Sequence, residues 1–256
     1  MSCRDSKKMP IMTKSTLLAI LLITSIAVIW EVLSRMLAIP VFILPPPSRI
    51  LATAVFRADL LMPHAAVTAL EIVTGMMVSL GIAIPLSMWM FASPSVEKAM
   101  APLLVTSQAV PVFAVAPLLV VWLGYGMASK VLMAAVIIFF PITITLLEGF
   151  KSCDTEFRVL FDLMGATFWK KMRFLYWPWA LPHFFAGLKV GVSVATIGAV
   201  IGEWVGAQMG LGYLMIQANA RLKVDLVFAA ILWLALLGLA MWSLVGMLER
   251  RTVRWK

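Results

Sequence analysis

Six stretches of the chain stay apolar for twenty residues or more: 16–37, 68–92, 100–123, 130–149, 181–206 and 226–248. Each is long enough to cross a hydrocarbon core of ~30 Å as a helix. None alternates apolar and polar residues as a membrane strand would, and in lipid every backbone polar group needs an internal partner. The predicted fold is therefore all-α and integral to the membrane, with about six transmembrane helices. Composition agrees, because 62% of residues are hydrophobic and 13% charged, whereas soluble domains average roughly half and a quarter. The first run follows Arg4, Lys7, Lys8 and Lys14 as a signal peptide would, but no small-x-small cleavage site comes after it. An uncleaved first helix is expected.

The net charge of +9 comes from basic residues gathered at both ends and in one central segment. That distribution suggests membrane topology and not a nucleic-acid surface. With residues 1–14 placed in the cytoplasm, the segments 1–14, 93–99, 150–178 and 250–256 carry 4, 1, 5 and 4 Lys or Arg. Those fourteen stand against six on the other side: Arg35, Arg49, Arg57, Lys130, Arg221 and Lys223. The positive-inside rule then puts both termini in the cytoplasm. The expected division is an N-terminal tail (1–14), a transmembrane domain (15–249) and a C-terminal tail (250–256).

Two connecting segments stand out. Residues 38–67 hold Pro40, Pro45, Pro46 and Pro47 and are expected to be an outer loop with no helix interior. Residues 150–178 form the longest cytoplasmic loop. There Phe157, Leu160, Phe161 and Met164 fall at helical spacing, as do Phe168, Met172 and Leu175. Gly165 separates the two stretches and can take a left-handed turn, with Thr167 as a cap for the second stretch. Two short amphipathic helices are expected, carrying Lys170, Lys171 and Arg173 on their polar side. They could lie in the membrane interface or fit a groove on a cytoplasmic partner.

This loop resembles the coupling-loop signature of binding-protein-dependent ABC importer permeases, which reads Glu-Ala-Ala, three residues, Gly, nine residues, Ile, one residue, Leu-Pro. Gly165 matches the Gly and Pro178 the Pro. Leu175 stands at the Ile position and Trp177 at the Leu position, while Val159, Leu160 and Phe161 replace Glu-Ala-Ala. Gly202-Glu203-Trp204-Val205-Gly206, followed by Gly210-Leu211-Gly212-Tyr213-Leu214, is similar to the nitrate/sulfonate/taurine branch. Gln217-Ala218-Asn219-Ala220-Arg221-Leu222 is similar to permeases for thiamine pyrimidine precursors. Leu44-Pro45-Pro46-Pro47-Ser48 resembles the segment after the first helix in the same family.

The resemblance implies a type I ABC importer permease fold with cytoplasmic coupling helices, in the inner membrane of a bacterium. It implies two ATPase subunits, an extracytoplasmic binding protein and a second permease subunit, expected to be an identical copy. It also implies that Phe161, Asp162, Leu163, Met164, Gly165, Ala166 and Pro178 couple to the ATPase. The 256 residues contain no Gly-x4-Gly-Lys-Ser/Thr phosphate loop, so the chain is not expected to be an enzyme, nor to hold a cofactor. The expected cargo is a small solute, first a thiamine-related pyrimidine; nitrate, sulfonate, taurine and riboflavin are the alternatives.

Gly187, Gly191, Ala195, Gly198, Gly202 and Gly206 recur at three- or four-residue steps along one face of the fifth span. Such rows let helices approach closely; Gly75, Ser79 and Ala83 form a shorter one in the second span. Gly191, Ala195, Gly198 and Gly202 are thus candidates for a pathway or subunit contact, together with Glu203 and with Gln108 of the Pro-rich third span. Glu203, about 31 Å along its helix from Pro182, is expected near the outer interface, where it could gate the outer mouth, meet the binding protein or the cargo, or cap or pair with Arg221 or Lys223. Lys189 is expected to snorkel. Cys3, Cys153, His64 and His183 show no metal-ligand spacing; the cysteines read as free thiols. A gradient-driven transporter usually needs acids in mid-span, and none is expected here. A membrane enzyme ranks last, for want of paired acid–base groups at one depth.

Overall fold

The computed structural model describes residues 14–254; Arg4, Lys7, Lys8 and Cys3 lie outside it. Every regular element among the described residues is helical. In chain order the helices are α1 (Lys14–Met36), α2 (Pro47–Phe56), α3 (Ala58–Ala92), α4 (Pro94–Ala109), α5 (Val112–Leu123) and α6 (Met127–Lys151). They continue with α7 (Thr155–Leu163), α8 (Phe168–Lys171), α9 (Trp177–Gly206), α10 (Leu211–Ala220) and α11 (Val224–Thr252). Four of them are long and apolar enough to cross a membrane, with α8 and α9 counted as one, and α4 with α5 makes a fifth if the bent pair is one span. The first predicted run, 16–37, is carried by the 23 residues of α1.

The core is three helices thick. α6 lies between α3 and α9 and packs along both. The approach is close because the facing positions are small. A Cβ on Gly75 of α3 would lie 2.7 Å from Ala134 Cβ, and one on Gly198 of α9 would lie 2.9 Å from Ile137 Cδ1. Gly191 and Gly202 meet Ile138 and Lys130 of α6 in the same way. Around this contact Ile72, Ala83, Ala134, Ile138, Ile142, Val192, Ala195 and Ala199 form one buried cluster. α11 flanks α9, and α1 stands at the edge with Leu18, Leu22, Ile26 and Ile29 exposed. α1 is tied in by the Glu31 carboxylate, which accepts from Ser48 N (2.9 Å) and Ser48 Oγ (2.8 Å) at the start of α2.

Three expectations need correction. The segment 38–67 is not all loop, since α2 and the first ten residues of α3 fall within it. The proline argument stops at Pro47, which sits in the first turn of α2, where a missing N–H breaks no bond. The third predicted span, 100–123, is not one continuous helix. α4 and α5 meet at 97°, with Val110 extended (ψ 121°) before Pro111, as the proline ring forces on its predecessor. α3 ends beside the last turns of α6, where Met90 packs with Leu147, and α6 begins at the opposite end. The bent pair therefore traverses the bundle as a broken span.

The third correction concerns the second amphipathic helix of the central loop. α8 is not separate. It runs through a widened π turn (Met172–Tyr176) straight into α9. Pro178 has no N–H to give the Phe174 carbonyl, and a wider turn is one way a helix absorbs that loss.

Glycine substitutions should separate packed from open positions. Gly198→Leu is expected to destabilise the bundle by about 1–3 kcal/mol through overpacking. Gly81→Leu, with nothing within 4 Å of its Cβ position, should melt like the parent. Thermal unfolding of the detergent-solubilised protein reads both.

Candidate functional site

Two groups of side chains stand at opposite ends of the bundle. At one end α7 projects from the body with none of its residues buried. Its chain end is closed by two backbone bonds, Gly165 N to Asp162 O (3.0 Å) and Ala166 N to Phe161 O (3.0 Å). That is a Schellman pair, and it needs the left-handed backbone that Gly165 supplies at φ +66°. Asp162 accepts from Lys171 Nζ at 2.6 Å, bridging α7 to α8. Thr167 occupies the N-cap of α8 without a side-chain cap bond.

This hairpin is fixed on one side and bare on the other. Phe161 packs towards Phe150, Met172 and Tyr176, and Phe157 lies 5.7 Å from the Trp179 ring. Leu163, Met164 and Trp169 are 81%, 72% and 70% exposed. Pro178 is half-buried in the first turn of α9. Leu163 and Met164 thus form an exposed apolar knuckle, with Phe161 packed behind it and Asp162 paired to Lys171. Arg158 braces it by donating to the Lys151 carbonyl, and Lys151 pairs with Glu97 across the α3–α4 corner. Cys153 is buried behind it, its thiol pushed up from the ordinary value by that burial.

At the other end a charged cluster is sunk in the bundle. Lys130 Nζ of α6 donates to Glu71 Oε1 of α3 at 2.9 Å, with both side chains nearly inaccessible. Glu203 of α9 is 1% exposed. Its carboxylate accepts from Thr68 Oγ1 at 2.6 Å and from Gly212 N. Glu203 does not pair with Arg221 or Lys223, as the residue order alone had allowed. Sequence reasoning misses Glu71 altogether and counts Lys130 as a loop cation. The signal is nonetheless there: an acid four residues into an apolar run, with one Lys opening another. Removing one partner from a buried ion pair costs about 3–5 kcal/mol. Lys189 forms its own pair with Glu249 of α11.

The remaining candidates divide. Gly191, Ala195, Gly198 and Gly202 all face α6 and are buried within the chain. Gln108 is exposed at the end of α4, just before the break. It lines a groove of about 270 Å³ with Phe113 of α5, Val136 and Ile137 of α6, and Val194 and Ile197 of α9. The structure therefore joins Gln108 to a different face of α9 from the one bearing the glycines. Among the described residues no group of three or more His, Cys, Asp or Glu could hold a metal.

The architecture has counterparts among known proteins. The chain is 40% identical over 237 residues (91% of this chain, 96% of the relative) to a probable ABC transporter permease protein of Haemophilus influenzae. It is 39% identical over 230 residues (90% and 92%) to the formylaminopyrimidine transport permease protein ThiX of Halalkalibacterium halodurans. To the taurine transport system permease protein TauC of Escherichia coli the identity is 30% over 233 residues (88% and 84%). Residues 75–254, which hold the knuckle, most of the buried charges, all of α6 and α9 and the second half of α3, match the family described as binding-protein-dependent transport system inner membrane component. The chain belongs to that family of multi-pass inner-membrane permease subunits of ABC importers.

Proposed function

We propose that this permease imports a thiamine-related pyrimidine delivered by a binding protein, driven by two ATPase subunits that grip the α7–α8 knuckle. The observation that carries the coupling role is the knuckle's geometry: a stiff turn, closed at Gly165 and braced by Asp162–Lys171, presenting Leu163 and Met164 to solvent. Apolar knobs on a rigid base suit a groove on a partner. On this reading the knuckle faces the cytoplasm, both termini lie there, and ATP is hydrolysed on the partner. Movement of the knuckle passes into α9 without a joint, because α8 and α9 are continuous.

The pyrimidine reading rests on the relative named for formylaminopyrimidine transport. Taurine is the second reading, on a more distant relative that also covers most of the chain. For the pathway, the groove beside Gln108 is the favoured wall, since it offers a polar amide next to an otherwise apolar face of α9. Two copies facing each other across it would complete the pore as a homodimer.

Two measurements test this. Gly165→Val places a β-branched residue at φ +66°, a strain of about 1–2 kcal/mol. Uptake should fall to background in proteoliposomes of the full complex, while membrane insertion and basal ATP hydrolysis persist; wild-type uptake would end the coupling role. The paired change Leu163→Asp and Met164→Asp, at exposed positions, should abolish copurification of the ATPase from detergent extracts. Retention of the ATPase would move its contact elsewhere. Uptake of labelled aminopyrimidine, competed by taurine or not, decides the cargo.

A further inference from the structure

α10 is ten residues long, about 15 Å, and too short to cross a bilayer. It lies at the end of the bundle opposite the knuckle, between the last turn of α9 and the first of α11. Its amino end is held in an unusual way. Three consecutive backbone N–H groups each donate to a side chain from another helix. Gly210 N donates to His64 Nδ1 at 3.0 Å, Leu211 N to Thr68 Oγ1 at 2.9 Å, and Gly212 N to Glu203 Oε2. Thr68 in turn donates to Glu203 Oε1. The first turn of α10 is thereby bound to both α3 and α9.

The fit leaves no slack. A Cβ on Gly210 would overlap the Glu203 carboxylate, and one on Gly212 would lie 2.8 Å from Glu203 Oε2 and 3.0 Å from Val200 Cα. Gly210 also sits at φ +127°, which side chains avoid. Ordinary helix starts are capped by a local Ser, Thr or Asp in contact with water. Here the acceptor is a carboxyl group sealed in the bundle, at the end that also holds the Glu71–Lys130 pair, and ionisable groups inside membrane spans commonly mark function. The Glu203 carboxyl oxygens face the amino end of α10, whose first N–H groups need acceptors.

We propose that Glu203 is the positioning residue of α10, holding it as a fixed flap on α3 and α9, so that α10 shifts only when those helices shift. The flap role in transport rests on the importer reading above; the holding role does not. Thr68 and His64 complete the clasp, and Tyr213, stacked on His64 with centroids 6.2 Å apart, covers it.

The test uses the full complex, in two arms. Hydrogen exchange at amides 210–212 should be slow in the parent and in Glu203→Gln, whose amide oxygen still accepts. It should be at least tenfold faster in Glu203→Ala and in Thr68→Val, the second being the fallback if the first does not fold. Slow exchange in both variants, or equally fast exchange in Glu203→Gln and Glu203→Ala, would overturn the proposal. In the second arm, Glu203→Ala is combined with His64→Cys and Tyr213→Cys, with Cys3 and Cys153 replaced by Ser. Uptake should be lost and then regained when a short bifunctional thiol reagent joins α3 to α10. No recovery after verified cross-linking would sink the flap role, because a group that merely touches cargo is not replaced by a cross-link. If the parent complex shows no ATP-driven uptake, the importer reading fails while the exchange arm still decides the clasp.

Discussion

Everything in this bundle hangs on how closely α6 can be approached from two sides. Association in lipid has no hydrophobic drive, since lipid tails are as apolar as the side chains, and contact must come from packing and buried polar bonds. Glycines on α3 and α9 remove the side chains that would hold the backbones apart, and Ala134, Ile137 and Ile138 of α6 fill the space. With the three axes fixed, Glu71, Lys130, Thr68 and Glu203 arrive within hydrogen-bond reach at one end. At the other, Phe150, Met172 and Tyr176 make a floor for the knuckle. Neither group could assemble on helices set a side chain further apart.

Much of this is readable from residue order, for a physical reason. A bilayer leaves backbone few choices, so apolar length alone gives α6, α9 and α11 nearly to their ends. The Gly165 turn is readable because a left-handed closure has one ready residue, and the Gly-to-Pro register around it is a resemblance with its own spacing. The row from Gly187 to Gly206 announces a close contact but not its partner, which for most of the row is α6 of the same chain.

What escapes such a reading depends on pairing across the bundle. Glu71 near the start of one span and Lys130 near the start of another each resemble interface residues when seen singly. Only the facing of α3 on α6 makes them a buried pair. Three prolines in 100–123 suggest kinks; that Pro111 breaks the helix outright shows only in the extended backbone at Val110. The prolines up to Pro47 mislead in the other direction, because position within the first turn decides whether a missing N–H matters at all.

The right-angled break between α4 and α5 also has a consequence for solvent. A helix that stops at Ala109 leaves its last carbonyls, from Thr106 onward, without donors from the next turn. Hydrocarbon offers none, so water or a neighbouring chain must supply them, and Gln108 stands at the same place. The break thereby writes a need for polar partners into an otherwise apolar wall. Any polar solute crossing along that wall would exchange one hydration shell for part of another, and would not have to enter bare hydrocarbon.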